Sequence, residues 1–418
     1  MNEPKPKRGR LSFRIREEDI MSEKQNKQGT LHAASGAVVV SILVAGMAGS
    51  SAFAQEEEKS PWRFNGVIRG NYQYLDYVSS RKGVLEFDTL FGKLAYDDGS
   101  VIGSGQIRYY RYSHRQTGGT DSGEMVFLQH LWVGYRFNDQ SELNAGLSSQ
   151  PFGLYPYAGN NLSESMAYWA GYEDTQSFGI KYSRRDGELE TQLAIYPSDG
   201  GYGWASASGG NFLEKESARY SYHAVNGNLE SNTVVARVAY GIQHGQDEKS
   251  EIGLSYLNGR IDSTINQAGN RDAMAVHYAG SFGKLGVRLQ AMQYDYRLNG
   301  SPTTLSIGSY GYSNKLATKG NIYIANVSYA LDGSIGPFSG FTAYNDYSVL
   351  SKSAAGFVDS SQNVAGVSAD AGKWRGYVDY MHGKNSTFMS PVGYNGLGSG
   401  AATNNMGKRI NINVGYYF

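Results

Sequence analysis

Seven arginines are the residues of this chain whose types and spacing most clearly suggest chemistry. Each lies in a segment where apolar and polar residues alternate, and each falls in the polar half of that alternation. They are Arg69, Arg108, Arg136, Arg237, Arg288, Arg375 and Arg409. A guanidinium is always charged and presents several N–H donors to carboxylates or phosphates. Because all seven fall in the polar half of the alternation, they predict one hydrated, charged face across several strands.

Carboxylates supply the opposite charge in two places. On the alternating segments themselves they are Glu86, Asp88, Glu251 and Asp379. Glu164, Glu173 and Asp174 lie instead in a long, aromatic and proline-containing connection from Ser149 to Gln176. Two roles stay open for the arginines: ion pairs within a wall, or the lining of a pore that favours anionic or dipolar solutes.

Enzyme motifs are weak in this sequence. The seven histidines, at 32, 114, 130, 223, 244, 277 and 382, form no H-E-x-x-H pattern, and the sequence has no G-x-S-x-G elbow and no P-loop. His130 and His277 share the phase of the arginines, which favours wall positions. We therefore predict no catalytic residue, no metal and no cofactor.

Alternation with period 2 is typical of β-strands, in which successive side chains point to opposite faces. In the last segment, Ile410, Ile412, Val414, Tyr416 and Phe418 share one face and polar residues occupy the other. The pattern recurs and predicts sixteen strands, near 64–74, 84–96, 101–112, 124–137, 142–148, 177–185, 188–196, 232–243, 250–258, 272–282, 284–297, 319–331, 338–349, 361–369, 373–383 and 406–418.

The connections between these strands alternate in length. The short ones are 97–99, 138–140, 186–187, 244–249, 283, 332–337 and 370–372, and the long ones include 197–231, 298–318 and 384–405. Sixteen strands place all short connections on one side, as in an up-and-down antiparallel barrel. This holds only if 218–224, which also alternates, belongs to a long loop.

The beginning of the chain predicts export. Lys24 and Lys27 precede an apolar run at 37–49, and Ala52-Phe53-Ala54 fits a cleavage site. The run is shorter than the roughly 20 residues of a membrane-spanning helix, which disfavours the alternative of an anchor. We assign 1–54 as a signal region, with 1–20 as an over-called start ahead of Met21, 55–61 as a short segment and 62–418 as the folded domain.

The chain resembles Gram-negative outer-membrane porins of the general-diffusion and phosphate-selective kind. The resemblance is carried by Tyr416 and Phe418 of the last strand and by Pro151-Phe152-Gly153, which opens the connection after the fifth strand. It implies an all-β, sixteen-stranded antiparallel transmembrane β-barrel with short periplasmic turns, long outer loops and an inward-folded constriction loop. Glu164, Glu173 and Asp174 would then face the arginines across the lumen. No dense loop lysine cluster is apparent, which puts phosphate selectivity in doubt.

The resemblance also implies partners and a location. They are small hydrophilic solutes and ions in the channel, outer-membrane lipid around it, the outer-membrane assembly machinery at Tyr416 and Phe418, and two further copies in a homotrimer. Equal numbers of basic and acidic residues, 38 of each, do not indicate nucleic acid, and the absence of cysteine excludes disulfides.

Three alternatives stay open at this point. A soluble β-sandwich, β-helix or propeller is compatible with the alternation, although the export signal, the tyrosines and the terminal Phe favour the barrel. A barrel that acts as an outer-membrane lipase or protease needs a His beside a Ser or Asp in space. A barrel that only anchors an adhesin or a structural protein needs no open lumen. We predict a passive porin and no enzyme.

Overall fold

The computed structural model describes residues 60–79, 82–114, 121–208, 215–402 and 406–418. The predicted signal region, 1–54, lies outside the described residues. The strands are β1 (Trp62–Leu75), β2 (Gly83–Asp97), β3 (Val101–His114), β4 (Asp121–Asn138), β5 (Ser141–Ser149), β6 (Gln176–Asp186), β7 (Leu189–Ser198), β8 (Trp204–Ser208), β9 (His223–Ala224), β10 (Asn228–Gln243), β11 (Glu248–Ser263), β12 (Gly269–Phe282), β13 (Leu285–Leu298), β14 (Thr304–Ser309), β15 (Tyr312–Ala317), β16 (Lys319–Ala330), β17 (Ser339–Lys352), β18 (Ser360–Ala371), β19 (Trp374–Lys384) and β20 (Met406–Tyr417).

Among the described residues, helical structure is confined to short turns. One α-helix, α1 (Met166–Trp169), lies between β5 and β6, and two 3-10 turns span Lys215–Ser217 and Gly393–Asn395. The side chain of Ser165 caps α1 by accepting a hydrogen bond from the backbone N–H of Ala167. Within the described part of the chain, no helix has the length and apolar character needed to cross a membrane.

Sixteen of the strands form a closed antiparallel wall. They are β1–β7, β10–β13 and β16–β20, each paired with its neighbours in chain order. The wall closes where β20 pairs with β1, with Asn413 opposite Asn71. Closure leaves no edge strand, so each wall strand has a hydrogen-bonding partner on both sides. The predicted all-β, sixteen-stranded antiparallel barrel is confirmed.

The outer face of the wall is apolar. Val133 is 58% exposed, Leu254 65% and Ile180 52%, although each lies in the middle of a strand. Apolar side chains on this face are exposed at Phe64, Ile68, Ile107, Val133, Ile180, Leu193, Leu289, Ile412 and Val414, and Val287 is half-exposed. Contiguous apolar surface of this kind suits lipid rather than water.

Connection lengths divide the barrel into two ends. Short connections at 98–100, 139–140, 187–188, 244–247, 283–284, 331–338 and 372–373 lie at what we call the short-turn end. The opposite, long-loop end carries 150–175, 199–227, 299–318 and 385–405. Residues 218–224 belong to one of these long connections, as predicted. Their strand β9 pairs with β14 in a separate three-stranded sheet, β9-β14-β15, which we call the roof sheet.

Replacement of Leu254 by Arg tests the lipid-facing assignment. Leu254→Arg should reduce the free energy of unfolding by about 2–4 kcal/mol, because arginine is costly near the bilayer midplane. Asn258 is the matched control, since it lies on the same face of β11 nearer the long-loop end and binds Asp272. Asn258→Arg should cost only about 0–1 kcal/mol. Urea titrations in lipid vesicles measure both values, and equal costs would contradict the assignment.

Candidate pore and its inward loop

The connection at 150–175 folds into the barrel, and we call it the inward loop. Its backbone reaches the far wall at three points. Gly153 N donates to Ser255 Oγ of β11 at 3.0 Å, and Leu154 N donates to Gln290 Oε1 of β13 at 2.6 Å. Further along, Met166 N donates to a serine hydroxyl of β17 at 3.0 Å. The loop therefore crosses the lumen, as the sequence predicted.

Two opposite charges hold the tip of the inward loop. The Asp346 carboxylate of β17 accepts from Asn160 N at 2.6 Å, from Asn160 Nδ2 at 2.7 Å and from Asn161 Nδ2 at 2.7 Å. On β13, Arg288 donates to the Gly159 carbonyl at 2.9 Å. Hydrogen bonds to charged groups are stronger than neutral ones, so these contacts fix the height at which the loop crosses.

Apolar packing fixes the rest of the inward loop against one half of the wall. Its Phe152, Leu154, Met166, Tyr168 and Tyr172 are all nearly inaccessible to solvent. They share one core with wall residues Val235, Leu257, Ile261, Met292, Tyr294, Ile322, Ile324 and Leu350 and with roof-sheet residues Leu305, Ile307 and Leu316. The lumen along β10–β17 is therefore filled at this level.

Glu173 and Asp174 are enclosed within the loop region. Glu173 is 3% exposed, and its carboxylate accepts from Ala158 N at 2.7 Å and from the Ser165 hydroxyl. Burial raises the pKa of Glu173 above its ordinary value. Asp174 is 5% exposed and accepts from the Tyr220 hydroxyl at 2.6 Å. Glu173 therefore holds two parts of the inward loop together, and Asp174 joins the inward loop to the 199–227 connection.

Glu164 and Arg409 lie towards the remaining side of the lumen. Glu164 is half-exposed, and its carbonyl accepts from Gln362 Nε2 of β18. Arg409 of β20 donates to Asn411 Oδ1 at 3.3 Å. Of the three predicted loop carboxylates, Glu164 is the one with a solvent-accessible side chain.

Arg237 lies beneath the start of the inward loop. It is 3% exposed and donates to the Gly153 carbonyl at 3.2 Å. It also forms ion pairs with Glu190 at 3.2 Å and with Glu251. Arg237 and Arg288 therefore both hold the loop, through backbone carbonyls that sequence reasoning had no means of placing.

Arg69 and Arg108 lie on the wall opposite the filled half. Arg69 of β1 pairs with Asp88 at 3.3 Å. The Arg108 guanidinium lies 5.4 Å from the centre of the Phe91 ring and 4.8 Å from that of Tyr220, which is a cation–π arrangement on two sides. Both side chains are half-buried on the lumenal face.

Arg136 and Arg375 lie at the short-turn end, away from the inward loop. Arg136 pairs with Asp97 at 3.0 Å, and Arg375 donates to both carboxylate oxygens of Asp370 at 2.7 and 2.9 Å. The structure therefore separates the seven predicted arginines into groups. Ion pairing within the wall is seen directly for several of them, and the role of any in lining the narrowest part of a pore stays a prediction.

Three further lumenal residues, which were not predicted from the sequence, also point inward from their strands. Asp346 anchors the loop, and Lys93 of β2 lies beside Arg108 on the adjacent strand. Lys181 of β6 is 6% exposed and donates to the Tyr155 hydroxyl at 2.9 Å and to the Ser149 carbonyl at 3.2 Å. The alternation that selected the arginines would have selected all three.

A Ser–His–Glu series occurs at the long-loop end. His223 Nε2 lies 3.1 Å from Ser221 Oγ, and His223 Nδ1 lies 2.9 Å from Glu230 Oε2. The three residues are only 1–2% exposed, and Arg271 pairs with Glu230 at 2.8 Å. Burial encloses this serine, and the series joins the 199–227 connection to β10. Among the described residues, no three His, Cys, Asp or Glu side chains group as metal ligands.

Comparisons with known proteins identify the fold. No protein-family model matches the chain, and no curated protein matches it. The outer-membrane channel DcaP of Acinetobacter baumannii superposes with a TM-score of 0.56 at 10% identity, covering 87% of this chain and 99% of that one. The anion-selective porin of Comamonas acidovorans superposes with a TM-score of 0.54 at 12% identity, covering 85% of this chain and 99% of that one. Salmonella typhi OmpF superposes with a TM-score of 0.53 at 11% identity, covering 85% of this chain and 97% of that one. The predicted porin-like barrel is thus confirmed as a fold.

Replacement of Asp346 tests how the loop is anchored. Asp346→Ala removes the acceptor of the Asn160 amide, so hydrogen exchange in the peptide containing Asn160 should accelerate by about tenfold or more. Asp370→Ala is the control, because Asp370 pairs with Arg375 at the short-turn end. Mass spectrometry of both variants in detergent micelles measures the rates. Unchanged exchange in Asp346→Ala would show that the apolar core alone holds the loop.

Proposed function

We propose that this protein is an outer-membrane porin through which small hydrophilic solutes and ions diffuse passively. The observation that carries the proposal is a closed sixteen-stranded wall with a polar inner face, crossed by one inward loop. Barrels of sixteen to eighteen strands leave room for water, whereas eight-stranded barrels are filled by side chains. Solved structures of the same fold include an outer-membrane channel and an anion-selective porin.

The solute path in this proposal follows the half of the wall that the loop does not cover. Along β18–β20 and β1–β5 the inward side chains include seven amides, Asn71, Gln106, Gln129, Asn144, Gln362, Asn411 and Asn413, beside small apolar groups at Val364 and Met381 and at Met125 and Phe127. On β10–β17 the inward loop covers the wall, through the apolar core and through hydrogen bonds to Gln290, Arg288 and Asp346. The side of the lumen along β18–β20 and β1–β5 is therefore left for hydrophilic solutes, and the proposed path is off-centre.

A basic strip lies on this path. Arg69, Lys93 and Arg108 occupy three adjacent strands, with Phe91 directly opposite Arg108 in the β2–β3 register. Glu164 of the inward loop supplies an acidic side chain on a half-exposed residue. We propose that the strip and the loop set a transverse field across the narrowest part of the channel.

Neither alternative function is favoured by a particular contact. The Ser221–His223–Glu230 series is the nearest arrangement to a hydrolase site, and burial closes it to substrates. An adhesin anchor would need no polar path through the barrel. The proposal includes export by the 1–54 signal, recognition of Tyr416 and Phe418 during assembly, and a homotrimer surrounded by lipid.

Single-channel recording in a planar bilayer tests the proposed function. The purified barrel should give ohmic current steps in potassium chloride, because water fills the polar half of the lumen. A heat-unfolded sample is the control for contaminating pores. A correctly folded barrel that gives no steps would overturn the porin proposal and leave the enzyme and anchor alternatives.

Ion preference tests the basic strip. Arg69→Gln combined with Arg108→Gln should make the channel more cation-preferring, and Glu164→Gln should move it towards anions. The matched control is Arg136→Gln with Arg375→Gln, which removes the same charge from paired residues at the short-turn end. Reversal potentials in a salt gradient measure the shift.

The shift should fade at high salt, because the screening length falls from about 10 Å at 0.1 M to about 3 Å at 1 M. Equal shifts in the strip variant and in its control would show that the strip does not lie at the narrowest point.

A further inference from the structure

The connection 331–338 differs in composition from the other connections at the short-turn end, and we call it the apolar turn. It reads L-D-G-S-I-G-P-F. None of the other six short connections contains an apolar side chain, as expected of turns that face water. They are 98–100, 139–140, 187–188, 244–247, 283–284 and 372–373. The apolar turn therefore has an environment that its neighbours do not share.

The middle of the apolar turn is a tight turn that exposes two large apolar side chains. Ile335 is 73% exposed, and Phe338 is exposed as well. The Ile335 N–H donates to the Phe338 carbonyl at 2.9 Å, and the Phe338 N–H donates to the Ile335 carbonyl at 3.1 Å. Between them Gly336 has a φ of +58°, which favours glycine. Because opposite residues of an antiparallel pair share a face, Ile335 and Phe338 form one apolar tip.

The apolar tip lies at the end of the lipid-facing surface of the wall. Along β16 and just beyond it, Val327, Tyr329 and Leu331 alternate, and all three are exposed on the outer face. The Leu331 N–H donates to the carbonyl of Phe341 on β17 at 2.8 Å, so the pairing of the two strands reaches into the apolar turn. Phe341 is itself half-exposed. The lipid-facing surface therefore extends to Leu331, four residues before Ile335.

The size of the exposed patch favours lipid over a protein partner. A stable protein interface buries about 800 Å² on each partner, and three apolar side chains bordered by Asp332, Gly333 and Ser334 do not supply a patch of that size. Lipid needs no matching surface, and apolar segments with polar flanks enter the boundary between head groups and acyl chains to a depth of about 5–10 Å. Asp332 and Lys284 form an exposed ion pair beside the tip, which suits a layer of polar head groups.

We propose that the apolar turn inserts into the lipid leaflet at the short-turn end and anchors the β16–β17 side of the barrel there. Its partner is the boundary between phospholipid head groups and acyl chains, which Ile335 and Phe338 enter. Movement of this side of the barrel out of the leaflet would expose both side chains to water, so the tip fixes its height. The inference concerns the contact with lipid and does not depend on the proposed solute path.

A fluorescent label beside the tip tests the insertion. The chain has no cysteine, so Ser334→Cys gives a single attachment point and leaves the tip itself unchanged. In phospholipid vesicles the label is quenched by a nitroxide on the lipid acyl chains and, separately, by iodide in the water. The ratio of nitroxide to iodide quenching should be several-fold higher than for a label at Gln246→Cys. Gln246 is the matched control, because it lies in the exposed, polar connection 244–247 at the same end.

Replacement of the tip separates its effect from that of the label. In the chain labelled at Ser334→Cys, Ile335→Ser combined with Phe338→Ser should lower the quenching ratio to that of the Gln246→Cys label. An unchanged ratio in this variant, or equal ratios at the two label positions with the tip intact, would overturn the proposal. Quenching between labels that rises with the protein-to-lipid ratio would show that a second copy covers the tip instead. Both measurements apply equally to a barrel that conducts no current.

Discussion

Hydrogen bonding of the backbone in lipid is the constraint on which the rest of this structure depends. Lipid offers no partner to an N–H or a carbonyl, so every wall strand must be paired on both sides. The pairing of β20 with β1, from Val67 opposite Tyr417 to Leu75 opposite Arg409, removes the two edges that the chain would otherwise have. Once the wall is closed, alternation sends apolar side chains to lipid and polar ones to the lumen.

The inward loop crosses the space that the wall encloses and packs against β10–β17. The loop uses two kinds of contact with different consequences. Apolar packing between Phe152, Leu154 and the β10–β17 wall excludes water but does not select one position. The Asp346 and Arg288 contacts are directional, and they place the backbone of 158–161 at one height.

Most charges of the lumen are used within the protein. Arg237 lies among Glu190, Glu251 and the loop carbonyl of Gly153, and Arg271 neutralises Glu230. Burying a charge is costly unless it is paired and hydrogen-bonded, which explains why these arginines have such dense contacts. In the basic strip the Arg69 side chain is 12% exposed and pairs with Asp88, and Lys93 and Arg108 are half-buried. The proposed selectivity role would use this partial access to solvent.

The sequence by itself determined the barrel. Alternation with period 2 located all sixteen wall strands, and the alternation of short and long connections assigned 218–224 to a loop, because both patterns are local consequences of a wall between lipid and water. The sequence also predicted the face of the strand on which each arginine lies, because neighbouring side chains on a strand point to opposite faces.

Only the tertiary structure decided which charges meet. Arg136 and Arg288 share the same phase, yet one pairs with Asp97 at the short-turn end and the other holds Gly159 of the inward loop. Glu173 and Glu164 lie in one connection, yet the first is sealed and the second is accessible. Periodicity reports the face of a residue but not its depth in the barrel or the path of a long loop. Those depend on contacts between residues that are more than a hundred positions apart in the chain, such as Gly159 and Arg288.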